Sequence, residues 1–179
     1  YLVMYGGAVF NNQSGAALQV THTGSGQFTY STGGGTFNNA GVITKTAGST
    51  GITYVYVPFN NSGSVTVNGG TLYLGPTTAT TSNHSGPFSV ANGATLQVAG
   101  NGTLNFTGGI TGGGSGLFSG STSNFNGGTY TLPIGPRRLV TGPLQGADPP
   151  PAASLTNALG LVQDHLDDLL IEAPSVAAT

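Results

Sequence analysis

The chain has 179 residues, of which 32 are Gly, while Thr, Ser and Asn contribute 25, 15 and 14. Charged residues are 4% of the total, against roughly a quarter in an ordinary soluble protein. Residues 1–136 hold one charge, Lys45, and no carboxylate, so they contain no paired-carboxylate glycosidase centre, no Asp-based triad and no carboxylate cage for calcium.

Net charge is −2, which leaves no basic footprint for nucleic acid. Without cysteine there is neither a disulfide nor a thiolate metal site. No apolar run reaches the roughly 18 residues of a membrane span. No signal peptide is visible, and the start at Tyr1 rather than Met suggests a processed or excised chain.

Short alternating segments dominate from the N-terminus onward. Leu18-Gln19-Val20, Val65-Thr66-Val67, Leu72-Tyr73-Leu74, Leu96-Gln97-Val98, Leu104-Asn105-Phe106 and Tyr130-Thr131-Leu132 each place apolar residues two apart. That period predicts strands with one buried face. Turns rich in Gly and Asn bound them, at Asn68-Gly69-Gly70, Asn92-Gly93, Asn101-Gly102 and Asn126-Gly127-Gly128. No helical period appears before residue 150.

The segments repeat. Phe-Asn-Asn occurs at Phe10, Phe37 and Phe59, at intervals of 27 and 22 residues. Residues 10–20 align without a gap on residues 88–98, with six of eleven positions identical. Gly24-Ser25-Gly26-Gln27-Phe28 is echoed by Gly114-Ser115-Gly116-Leu117-Phe118. Repeats of this length carrying short strands predict an all-β parallel solenoid, in which stacked coils share one core. About five or six coils are expected, with Phe10, Phe37, Phe59 and Phe88 at related places. Val65, Val67, Leu72, Leu74, Leu96, Val98, Leu104 and Phe106 should point inward. Equivalent Asn side chains, about 4.8 Å apart along the axis, should hydrogen-bond as ladders. An antiparallel sandwich or barrel also fits short strands, but it gives no reason to repeat one turn.

The segments FNNSGSVTVNGGTLYLG (residues 59–75) and GPFSVANGATLQVAGNGTLNF (residues 86–106) resemble the degenerate repeats of large secreted bacterial surface proteins. Those are autotransporter passengers, adhesins and filamentous haemagglutinin-like proteins. Weaker matches lie at residues 10–20, 37–46 and 125–132, so the resemblance covers about residues 6–135. It implies a β-helical scaffold and an extracellular or cell-surface location, and it carries over no catalytic residue.

Composition shifts at Gly135-Pro136-Arg137-Arg138. The expected organisation is a solenoid over residues 1–136, a Pro/Gly-rich linker over 137–153, an amphipathic helix over 154–173 and a tail over 174–179. Leu155, Leu159, Val162, Leu166 and Leu169, spaced 4, 3, 4 and 3, form an a/d stripe. A helix of this length with one apolar stripe needs a partner surface. It either caps its own solenoid or pairs with another chain as an assembly face.

Candidate sites are sparse. His22 and His84 lack a third ligand for zinc and read as surface or turn histidines. His165 reads as a polar residue on the solvated helix face. Arg137-Arg138 reads as a solvated linker pair. Thr-x-Thr at Thr21, Thr44 and Thr129 follows from β-propensity. Tyr54, Tyr56 and Tyr73 are candidates for glycan or partner contact, with packing as the alternative. Asn-x-Ser/Thr occurs at Asn12, Asn60, Asn83, Asn101 and Asn105, a frequency that this composition produces by itself.

The expected function is therefore a structural or adhesive extracellular surface protein. It needs no cofactor, no metal and no catalytic residue. Its expected partners are copies of itself, in a filament or array, with glycans or another cell surface as further candidates. A carbohydrate-binding β-helix module is the alternative, and a water-ordering solenoid a distant third.

Overall fold

The computed structural model describes residues 1–132. The expected linker, the helix with its Leu155-to-Leu169 stripe and the tail lie outside the described residues.

Short strands follow one another around a three-sided coil. The first coil holds β1 (Leu2–Met4), β2 (Ala8–Asn12) and β3 (Ala17–Val20). The second holds β4 (Gly26–Tyr30), β5 (Gly35–Asn39) and β6 (Val42–Lys45). The third holds β7 (Ile52–Val55), β8 (Phe59–Asn61) and β9 (Ser64–Val67). The fourth holds β10 (Thr71–Leu74), β11 (Thr81–His84) and β12 (Phe88–Val90). The fifth holds β13 (Thr95–Val98), β14 (Thr103–Phe106) and β15 (Ile110–Gly112). The sixth holds β16 (Ser115–Phe118) and β17 (Thr122–Phe125), and an isolated parallel bridge from Ile110 to Tyr130 continues its third side.

Each coil gives one strand to each of three sheets. The first face runs β1-β4-β7-β10-β13-β16, the second β2-β5-β8-β11-β14-β17 and the third β3-β6-β9-β12-β15. All the strand pairs are parallel. The protein is a parallel β-solenoid of about six coils, and among the described residues there is no helix.

The two-residue period explains the core. Val65, Val67, Leu72, Leu74, Leu96, Val98, Leu104 and Phe106 are all buried, and they join one apolar column along the axis. Burying such a side chain stabilises by about 1.5–3 kcal/mol, whereas a net hydrogen bond contributes about 0.5–1.5 kcal/mol. Each side chain of the apolar column therefore contributes more than any single hydrogen bond of the ladders.

Phe10, Phe37 and Phe59 lie in register on the second face, with successive ring centroids 5.1 and 4.8 Å apart. Phe88 departs from the expectation. It sits on β12 of the third face, between Val65 and Ile110. The matching segments at residues 10–20 and 88–98 thus occupy different corners of the triangle. The first turns from the second face to the third, the second from the third to the first. What repeats there is a strand-corner-strand motif and not a coil. The other echo does follow the coil. Phe28 and Phe118 belong to one column, linked in register through Val55, Leu74 and Val98.

One corner column requires glycine for a steric reason. A Cβ on Gly63 would overlap the Gly41 carbonyl, and one on Gly86 would overlap the Gly63 carbonyl. Stacking coils this closely after the second face leaves no room for a side chain pointing along the axis.

Candidate functional site

The second face carries two Asn ladders, because Phe-Asn-Asn places one Asn outward and the next inward. The outward row contains Asn11, Asn38, Asn60, Asn83, Asn105 and Asn124. Asn38 Nδ2 donates to Asn11 Oδ1 at 2.9 Å and Asn60 Nδ2 to Asn38 Oδ1 at 3.0 Å. Asn105 Nδ2 donates to Asn83 Oδ1 at 2.9 Å and Asn124 Nδ2 to Asn105 Oδ1 at 2.8 Å. Between Asn60 and Asn83 the pattern changes, and the Asn83 backbone N–H donates to Asn60 Oδ1 at 3.0 Å. The rungs are 27, 22, 23, 22 and 19 residues apart in sequence, so coil length varies while the face stays in register.

The inward row begins with buried Asn12, Asn39 and Asn61. Asn12 Nδ2 donates to Asn39 Oδ1 at 2.7 Å, and Asn39 Nδ2 to Asn61 Oδ1 at 2.6 Å. Asn61 Nδ2 ends the chain of bonds on the Gly86 carbonyl at 3.1 Å. These amides are paired at the corner where strands leave the second face, so their burial is compensated.

Along this face lies a groove of about 680 Å³ across the first four coils, lined almost wholly by Asn, Ser and Gln side chains. Residues 13–16 separate β2 from β3, whereas only Ala40-Gly41 and Ser62-Gly63 turn the next two coils. The longer first corner, with exposed Gln13 and Ser14, walls the groove at one end.

His84 takes the next inward position after Asn61 and before Phe106. It is 1% exposed, contrary to the surface or turn position expected for it. Thr81-Ser82-Asn83-His84 has no apolar alternation, so its strand was invisible in sequence, yet the parity of the strand turns His84 inward. Its ring centroid lies 5.5, 5.4 and 4.7 Å from those of Phe59, Phe88 and Phe106. Neither ring nitrogen has a hydrogen-bond partner. Burial without an acceptor pushes its pKa down to about 3.

Lys45 is also buried, at the corner from the third face to the first. Its Nζ donates to the Ser49 carbonyl at 2.9 Å and to Ser49 Oγ at 2.6 Å, and Ser49 Oγ donates to the His22 carbonyl at 2.7 Å. Desolvation lowers its pKa from 10.5. The amine closes a six-residue corner from inside. His22 sits at the matching corner of the first coil, where its ring pairs with the Gly24 carbonyl at 2.7 Å and Thr53 Oγ1 at 3.0 Å. The two body histidines are therefore built into different places. Among the described residues no three metal-ligating side chains converge.

Tyr54, Tyr56 and Tyr73 lie together on the outer side of the first face, half-buried against each other, with ring centroids 5.2–5.9 Å apart. They are on a different face from the groove. On the third face Thr44, Thr66, Ser89 and Thr111 form a single outward column.

The Asn-x-Ser/Thr triplets acquire a structural origin. At Asn60, Asn83 and Asn105 an outward rung precedes a corner, and corners favour Ser and Thr. Asn12 belongs to the buried ladder. The outer rungs Asn83, Asn105 and Asn124 fall outside the Phe-Asn-Asn motif. The signal that could have found two of them is an Asn directly before an inward Phe, in Leu104-Asn105-Phe106 and Ser123-Asn124-Phe125.

No protein-family model, no curated protein and no solved structure matches the chain.

Proposed function

We propose that this chain is a non-catalytic, extracellular surface scaffold of the bacterial adhesin type, which associates with copies of itself into a filament or array. The observation that carries the reading is the surface chemistry of the solenoid. Among the described residues the one charged side chain, Lys45, is buried, so the outer surface is amide, hydroxyl, backbone and scattered apolar groups. Copies of such a surface have no side-chain charges to hold them apart, and they can pack without stranding a buried ion.

Two further features favour self-association. Within the described residues β1, β2 and β3 are edge strands of their sheets, and such edges accept another strand. The first coil also exposes Tyr1, Val3, Tyr5 and Val9. The proposed location and adhesive role rest on the resemblance of residues 59–75 and 86–106 to repeats of secreted surface proteins.

Light scattering and electron microscopy of the full chain across a salt series test this reading. The expected result is assembly that grows with concentration and persists at high salt, because screening weakens only charge pairs. A monodisperse monomer at every concentration, or dissociation on adding salt, would refute it.

A further inference from the structure

We propose that the groove on the second face binds a linear, uncharged polysaccharide laid parallel to the solenoid axis. This inference is independent of the self-association reading.

The argument starts from the amide inventory. An Asn side chain has two N–H donors and an oxygen with two lone pairs. In the outer ladder Asn38 and Asn60 each spend one N–H on the rung before. Each therefore keeps a second N–H, and each oxygen keeps a lone pair, for a ligand in the groove. These groups recur once per coil, about every 4.8 Å along the axis. A chain of sugars presents the complementary pattern, with hydroxyl groups that donate and accept at regular intervals along its length.

Pre-organisation adds to the fit. The ladder already holds the rotamers of its Asn side chains, so a ligand does not have to order them. Ser62 and Ser85, at successive corners beside the ladder, add hydroxyls along the same line.

The chemistry narrows the occupant. No charged side chain lines the groove, so a charged polymer would lose hydration with no counter-charge in return. A peptide strand would seek a free sheet edge, but the strands run across the groove and their backbone groups are paired between coils.

Isothermal titration of the full chain tests the proposal. The probes are neutral hexasaccharides from cellulose, mannan, xylan and amylose, their disaccharides, and an acidic oligogalacturonate. At least one neutral hexasaccharide should bind at least about tenfold more tightly than its disaccharide, because several rungs act together. Asn38→Thr combined with Asn60→Thr should weaken it about tenfold or more in a variant that still unfolds cooperatively well above the titration temperature. Gln13→Trp lies on the exposed first corner, outside the ladder, and should weaken binding by filling the end of the groove even if the double variant folds poorly. The proposal is overturned if no neutral hexasaccharide binds, if the disaccharide binds as tightly, if oligogalacturonate binds better, or if Gln13→Trp and a folded double variant both bind like the parent.

Discussion

His84 makes the solenoid acid-sensitive through one side chain, and the size of the effect follows from its surroundings. The imidazole is enclosed by Phe59, Phe88 and Phe106, and neither nitrogen has a partner. A proton placed there would gain a cation–π contact of about 2 kcal/mol. It would lose hydration costing several kcal/mol, so the neutral form wins and the folded pKa falls to about 3. In the unfolded chain the value is 6.5. The unfolded state therefore binds the proton first as pH falls. The contribution of neutral His84 is intact above about pH 6.5 and is lost progressively from there toward pH 3. At about 1.4 kcal/mol per pH unit, the loss between pH 7 and pH 5 is about 2 kcal/mol. No Asp or Glu occurs in residues 1–132 to mask it. Urea unfolding at both pH values, on the parent and on His84→Phe, reads this directly. The replacement continues the column of Phe106 and Phe125. The parent should lose about 2 kcal/mol more than the variant between the two pH values. An equal loss in both proteins would refute the reasoning.

The two Asn ladders should respond to different degrees to one chemical change. Asn39→Asp puts a carboxylate against the Asn61 oxygen in the core and should cost at least about 3 kcal/mol in urea unfolding, while Asn38→Asp on the outer row should cost less than about 1 kcal/mol. Similar costs for both would show that the inner row is not sealed from water. Gly63→Ala meets the Gly41 carbonyl and should lose about 1–3 kcal/mol of stability, whereas Gly24→Ala meets nothing and should be neutral to slightly stabilising; calorimetric melting temperatures separate the two. Lys45 is the chain's single lysine and is buried, so an amine-reactive ester should label its Nζ only on unfolding. Rapid labelling of the native protein, read by peptide mass spectrometry, would contradict the closed corner.

The sequence by itself determined the architecture. Alternation with a two-residue period in Val65-Thr66-Val67 or Leu96-Gln97-Val98 assigns a buried face to a strand without reference to anything distant. Recurrence of Phe-Asn-Asn announces stacked coils, since identical residues gain by lying over one another. Which coil position a segment takes is a different kind of fact. Residues 88–98 look like residues 10–20, yet they turn a different corner of the triangle. The corner motif is satisfied locally, whereas the face it joins depends on how many residues the preceding coil has used. His84 shows the same division. Its strand has no apolar neighbour to betray it, and it faces the core because Asn61 and Phe106 above and below fix its register. The groove, too, exists only in three dimensions. Asn11, Asn38, Asn60 and Asn83, at unequal sequence intervals, become one row along it, because hydrogen-bonded coils hold the second face in register while the corners absorb the differences in length.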